Sequence, residues 1–232
     1  MVERKPAVEM TGIVRQYRKK QVLRDLSFQV DCGSWIAIVG ENGSGKTTLL
    51  QILAGASKPD SGTIRFFGND AGKGTKAFRK YCGYVPQENP LLEELSVLDN
   101  LKFWCMGKKQ NLDRVVEQFH LKELLHTPVE KLSGGMKRRL SIACALLELP
   151  PVLLLDEPTT ALDIFYRESI LDWLSEYQKG NGTVIMTSHE EEEIIRADRC
   201  LLMKEGRLIE LTCNREERMN QIRREFKNGN EL

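Results

Sequence analysis

Long apolar runs are missing from this chain. The greasiest stretch, Leu146 to Leu155, is broken by Glu148 and by Pro150 and Pro151. It falls far short of the roughly 20 residues a membrane-spanning helix needs. The opening residues, MVERKPAVEM, lack the apolar core of a secretory signal, so the expected compartment is the cytoplasm. An excess of charge is missing too: the net charge is +1, which supplies no field for gathering polyanions and speaks against nucleic-acid binding. Six cysteines (Cys32, Cys82, Cys105, Cys144, Cys200 and Cys213) form no Cys-x-x-Cys pair, and the three histidines lie far apart. Zinc-type spacing is therefore absent, and in a reducing compartment the cysteines read as small buried hydrophobes. There is no internal repeat and no low-complexity tract. What remains is 232 residues, 41% apolar and 29% charged, a composition suited to a folded globular chain.

The hydrophobic pattern changes period along the chain. Strands are expected over Met10–Arg15, Leu26–Val30 and Ser34–Val39, then a glycine-rich turn, a helix over Lys46–Leu53 ended by Gly55, and a strand over 61–68. From about Ser96 to Ala145 the spacing turns helical, with Leu98, Leu101 and Cys105 and then Val115, Val116 and Phe119 on shared faces. Strand and helix then alternate: strand Val152–Leu155, helix Ile164–Tyr177, strand Thr183–Thr187, helix Glu190–Ile195, strand Cys200–Met203. Nearly all-apolar strands alternating with helices predict an α/β fold, a mainly parallel sheet covered on both faces. The helical stretch is then an insert in this α/β domain. The tail from Arg215 reads as a charged helix packed through Met219, Ile222 and Phe226.

Residues 40–47 read Gly40-Glu41-Asn42-Gly43-Ser44-Gly45-Lys46-Thr47, followed by Thr48. They match a phosphate loop at every fixed position, between an apolar strand and an amphipathic helix as that motif demands. Glycines let consecutive N–H groups turn toward phosphate oxygens, and the helix start adds its dipole. Lys46 is the point charge for the β- and γ-phosphates, and Thr47 offers its hydroxyl to Mg²⁺. The substrate expected from this loop is a nucleoside triphosphate.

A second strand, Val152–Leu155, runs into Asp156 and Glu157. Ligands in open α/β sheets sit beyond the C-terminal strand ends, so both carboxylates emerge near the phosphates. Asp156 reads as the Mg²⁺ partner and Glu157 as the base for the attacking water. His189 follows a third such strand and can reach the γ-phosphate or the same water; as a lone histidine it also reads as structural.

Leu132-Ser133-Gly134-Gly135-Met136 precedes a helical run, Lys137–Leu147. With this segment the chain resembles the ATP-binding cassette family, the ATPase subunits of ABC transporters, over roughly residues 7–210. The family's signature is most often Leu-Ser-Gly-Gly-Gln; here Met136 replaces the glutamine, and the run Met136-Lys137-Arg138-Arg139 looks like cassettes of drug or lipid exporters. Lys137, Arg138 and Arg139 read as a solvated helix face.

The resemblance implies further roles. It implies a P-loop ATPase core with an N-terminal antiparallel β subdomain and an inserted α-helical subdomain, all within one domain over 1–232. Residues 1–86 and 150–210 would form the core, 87–149 the insert and signature helix, and 211–232 the C-terminal helix. Tyr17 matches the aromatic that stacks on adenine, or else simply pairs strands. Gln87 matches a glutamine that contacts Mg²⁺, and Ala161-Leu162-Asp163 a loop crossing to a partner. Ser133, Gly134 and Gly135 would complete the ATP site of a second cassette, so a homodimer or heterodimer is implied, together with a polytopic membrane subunit that places the chain peripherally on the cytoplasmic face. Leu91, Leu92 and Leu95 read either as the surface receiving that subunit or as core of the insert. A soluble ATPase of translation, repair or cofactor assembly is the alternative. The separation of 86 positions from Lys46 to Leu132 leaves room for a helical insert and no long coiled coil. A G protein is excluded by the lack of Asn-Lys-x-Asp.

Overall fold

The structure is a computed structural model, and it describes residues 5–72, 76–105, 111–160, 162–212, 214–215 and 217–227. The chain opens with a long hairpin, β1 (Val8–Tyr17) and β2 (Lys20–Val30), and continues through β3 (Trp35–Val39) and α1 (Lys46–Leu53). Next come β4 (Ser61–Phe66), β5 (Asn69–Asp70), α2 (Lys76–Tyr81) and β6 (Cys82–Val85). Between β6 and the next strand lie α3 (Val97–Trp104), α4 (Leu112–Gln118) and α5 (Gly134–Leu146). The remainder is β7 (Val152–Asp156), α6 (Ile164–Lys179), β8 (Thr183–Thr187), α7 (Glu191–Arg196), β9 (Arg199–Lys204), β10 (Arg207–Leu211) and α8 (Arg218–Lys227).

Two sheets result. One is antiparallel and four-stranded, in the order β2-β1-β4-β5; the other has six strands in the order β10-β9-β3-β8-β7-β6. In the larger sheet β6, β7, β8, β3 and β9 are mutually parallel, and β10 returns antiparallel to β9. Its centre is buried on both faces, and the two-residue period of a strand sorts side chains accordingly. Trp35, Ala37 and Val39 face the core shared with α3, α5 and α6, while Ile36 and Ile38 face the core shared with α1 and the antiparallel sheet. Along β7, Leu153 and Leu155 take the first side and Val152 and Leu154 the second.

Four elements were not legible in the sequence pattern: β5, α2, β6 and β10. β6 has only four residues on the sheet edge, and β10 buries only Leu211 fully. The turn before β10 carries the cue, since Glu205 and Gly206 both adopt positive φ, 49° and 75°, as a tight hairpin turn requires. The helical stretch is also less continuous than its spacing suggests. Short 3-10 turns at Lys122–Leu124 and Val129–Lys131 separate α4 from α5. Among the described residues the tail helix runs over Arg218–Lys227, with Ile222 buried and Met219 and Phe226 partly buried against the core; the rest of the tail beyond residue 227 lies outside the described residues. Of the cysteines, Cys105, Cys144 and Cys200 are buried and Cys32 and Cys82 partly so; Cys213 lies outside the described residues, as does Ala161.

Candidate active site

Parallel pairing delivers the ends of four strands to one edge. In register, Ile38 of β3 and Asp156 of β7 both stand opposite Thr187 of β8, and Val85 of β6 stands opposite Leu155. The phosphate loop, Gln87, the carboxylate pair and His189 therefore leave the sheet side by side.

The loop at 40–45 is shaped by its glycines. Gly43 and Gly45 have φ of 78° and 114°, a region that β-carbons disfavour. A Cβ on Gly40 would lie 2.4 Å from the carbonyl oxygen of Met203, so the loop rests directly on β9. α1 begins at Lys46 with Gly45 as its N-cap and no side chain capping its first N–H groups, and no acidic residue sits in its first turn. Those donors and the positive dipole end suit a phosphate. Lys46 is nearly buried, its Nζ donating to the carbonyls of Gly40 at 2.7 Å and Glu41 at 3.1 Å. Burial lowers its pKa, and Glu157 and Asp156 oppose the fall.

Across from the loop, Glu157 is the centre of a hydrogen-bonded cluster. Its Oε2 accepts from Gln87 Nε2 at 3.1 Å and from Thr160 Oγ1 at 3.3 Å, and His189 Nε2 stands 3.2 Å from its Oε1. Its backbone has φ of 47°, a left-handed conformation that costs a non-glycine residue roughly 1–2 kcal/mol. Thr187 Oγ1 holds the turn: it accepts from Glu157 N at 3.0 Å and donates to Asp156 Oδ1 at 2.6 Å. Behind this edge, Glu193 is buried beneath the hydroxyls of Thr159 and Ser188, and burial raises its pKa to about 7.

A cavity of about 590 Å³ is lined by Val22, Asn42, Gly43, Gly45, Lys46, Thr47, Thr48, Gln87, Glu157 and His189. Gly40, Glu41 and Ser44 complete the loop behind it. Asp156 lies beneath, 1% exposed, with its Oδ2 free of any hydrogen-bond partner, and Ser44 Oγ is likewise buried without one. Thr47 and a buried carboxylate oxygen with an unused lone pair are the hard oxygen donors Mg²⁺ takes, so these residues fit that ion. Tyr17 is the last residue of β1, paired with Lys20, and is not among the residues lining the cavity. Its ring is 42% exposed with the Arg15 guanidinium 4.6 Å from its centroid. Arg15, then Ser57, lower its phenol pKa, with Thr48 a smaller contributor in the same direction.

Ser133, Gly134 and Gly135 are not brought into this cavity. Ser133 caps α5, accepting from Met136 N at 3.3 Å, and Gly135 rests on the ring of Tyr166, 2.9 Å from where its Cβ would be. Of the three leucines after Gln87, Leu91 packs on the core while Leu92 and Leu95 are exposed.

The solvated-face reading of Arg138 is corrected. Arg138 is 4% exposed, and its guanidinium donates to the backbone carbonyls of Pro86, Asp156 and Pro158, at and just past the ends of β6 and β7. The signal was available, because Arg138 shares an i, i+3, i+4 stripe with the buried Ser141 and Ile142. Arg139 is also partnered, lying over the Tyr166 ring at 5.1 Å. Thr187, Thr160 and Glu193 likewise carry no sequence signal for their places at this edge.

A glycine-lined lysine loop opposite a carboxylate pair, both at the C-terminal edge of a parallel sheet, defines a P-loop nucleoside triphosphatase. Comparison with known proteins narrows this. Residues 23–160 match the model of the ABC transporter family, and the chain belongs to that family. It is 36% identical over 213 residues to the Nod factor export ATP-binding protein I of Rhizobium sp. (strain N33), covering 88% of this chain and 70% of that one. To the sulfate/thiosulfate import ATP-binding protein CysA 1 of Agrobacterium fabrum it is 33% identical, covering 87% of this chain and 62% of that one. Among solved structures, cbiO1 from Clostridium perfringens, part of the ABC transporter complex cbiONQ, superposes with a TM-score of 0.81 at 30% identity, covering 98% and 96% of the two chains. An ATP-binding cassette solved as a dimer in a post-hydrolysis state with ADP and Pi gives 0.81 at 25% identity, covering 88% and 97%. The chain is an ATP-binding subunit, a Mg²⁺-dependent ATPase that drives a transporter and works as a cassette dimer with membrane subunits. No helix among the described residues is long and apolar enough to cross a membrane.

Proposed function

We propose that the chain binds ATP between its phosphate loop and Glu157 and hydrolyses it on the cytoplasmic face of a membrane, powering export through a separate polytopic subunit. The observation that carries the catalytic part is the Gln87–Glu157–His189 cluster facing Lys46 across one cavity. Lys46 and the N–H groups of residues 40–48 hold the phosphates, and Tyr17 carries the adenine. Thr47 and Asp156 hold Mg²⁺, with Gln87 joining them, and the ion when bound neutralises charge on the phosphate oxygens. Glu157 takes a proton from the attacking water, and His189, in contact with Glu157, holds that water and the γ-phosphate in line. Ser133, Gly134 and Gly135 point to the nucleotide of the partner cassette. Division into a core (1–86 and 150–210), a helical insert (87–149) and a C-terminal helix (211–232) accords with this reading.

Export is favoured by the run Met136–Arg139 and by likeness to a Nod factor export protein; likeness to a sulfate import protein keeps import as the competing direction. The exposed Leu92 and Leu95 support docking of a membrane subunit beside Gln87. Glu157→Gln tests the reading: ATP should still bind, turnover should fall by about 10²–10⁴, and light scattering should show a trapped dimer with Mg-ATP. Normal turnover in that variant, or monomers only, overturns it. Purification from detergent-solubilised membranes with a stoichiometric polytopic protein supports the transporter, whereas recovery with ribosomal or assembly proteins transfers the ATPase to the soluble alternative.

A further inference from the structure

Arg138 joins three parts of the site that the sequence keeps apart. It leaves α5 one turn after the signature and buries its whole side chain behind the strand ends. Nε donates to Pro158 O at 2.9 Å, Nη1 to Pro86 O at 2.5 Å, and Nη2 to Asp156 O at 2.7 Å and Glu157 O at 3.2 Å. A longer contact of 3.4 Å reaches Gln87 O. The fork of a guanidinium spreads these donors in one plane, so a single group grips the backbone on both sides of the Gln87–Glu157 hydrogen bond. Left-handed backbone at a non-glycine residue persists only where its surroundings hold it. At Glu157 the holders are Thr187 on the amide and Arg138 on the carbonyl. A buried charge needs such partners. Burial lowers the Arg138 pKa to about 10 while Asp156, Glu193, Tyr84 and Glu157 oppose the fall, so the group is cationic at neutral pH.

We propose that Arg138 is a positioning residue for hydrolysis: it fixes the backbone of Glu157 and Gln87 to the signature helix, so that the catalytic carboxylate and the segment Ser133–Gly135 are held as one piece. This rests on the reading of Glu157 as the base. Five forms are compared: wild type, Glu157→Gln, Arg138→Gln, Arg138→Lys and the double variant of Arg138→Gln with Glu157→Gln. Measured for each are kcat, KM for ATP, equilibrium ATP affinity and the melting temperature.

Arg138→Gln keeps part of the stem and two donors. Its kcat should fall by about 10–10²-fold, the scale of a slight misplacement of a reacting group, with ATP affinity within about twofold because the phosphate loop is untouched. Arg138→Lys should recover part of the loss. The double variant should be no slower than Glu157→Gln alone, the non-additivity expected of residues acting through one group. Unchanged kcat in a folded Arg138→Gln, or in Arg138→Lys if the glutamine variant does not fold, overturns the proposal. So do parallel losses of kcat and ATP affinity, and so does a double variant slower than Glu157→Gln. Normal turnover by Glu157→Gln alone overturns the reading beneath it instead.

Discussion

The two walls of the ATP cavity are built by opposite means. On the phosphate-loop wall, eight consecutive residues make their own structure: glycines supply the positive φ, α1 supplies the N–H groups, and Lys46 is held by carbonyls five and six residues before it. On the carboxylate wall a non-glycine residue, Glu157, adopts the left-handed conformation. It is kept there by Thr187, thirty positions along, and by Arg138, from an inserted helix. One wall is encoded locally and tolerates little change within its own segment. The other is an assembly, and it can be damaged from elements that never touch the nucleotide.

Substitutions on the two walls separate these modes. The largest effect is expected on the assembled wall: Glu157→Gln should cut steady-state ATPase by about 10²–10⁴, leaving ATP binding by calorimetry intact. On the local wall, Lys46→Met should differ by weakening ATP binding itself about 10–100-fold, along with a loss of turnover, since a hydrogen bond to a charged group contributes about 1.5–3 kcal/mol. Thr187→Val strips partners from Asp156 Oδ1 and Glu157 N, and unfolding in urea should show a loss of about 1–3 kcal/mol. Thr187→Ser, retaining the hydroxyl, should stay near wild type; if serine fails as badly as valine, the hydroxyl is not what holds the carboxylate turn.

The smallest effect on turnover is expected from Glu193→Gln, whose signature is pH-dependent stability. The folded protein keeps the Glu193 proton up to about pH 7, whereas an unfolded carboxyl releases it near 4.5. Between those values the folded state binds more protons, so this group's contribution to stability falls as pH rises and is fully lost above about 7. Melting curves of wild type and Glu193→Gln from pH 4.5 to 8 should diverge across that window, with the glutamine variant gaining relative stability toward high pH.

What could be read in the sequence follows the same division. The loop at 40–47, α1, and the apolar strands β3, β7 and β8 are each specified by a short run of residues, and each is where its pattern places it. Asp156 and Glu157 were legible because parallel strands end on one edge. Arg138 was not, because a cation on a helix following Lys137 looks like solvated surface until its apolar stripe is considered. Thr187 looked like the last residue of a strand, and only its register opposite Asp156 gives it a task. β6 and β10 escaped for a simpler reason: an edge strand buries too little to leave a periodic trace.

The grip of the phosphate loop on Lys46 has a kinetic consequence. An ammonium has three protons, and two point at Gly40 and Glu41, leaving one. Ordering a lysine side chain costs up to about 2 kcal/mol of rotamer freedom, and here that cost falls on folding, before any nucleotide arrives. Encounter with ATP therefore meets a cation already in place, which engages a second phosphate oxygen by exchanging one of these carbonyl bonds. Differences in affinity among nucleotides should appear mainly in how long each one stays.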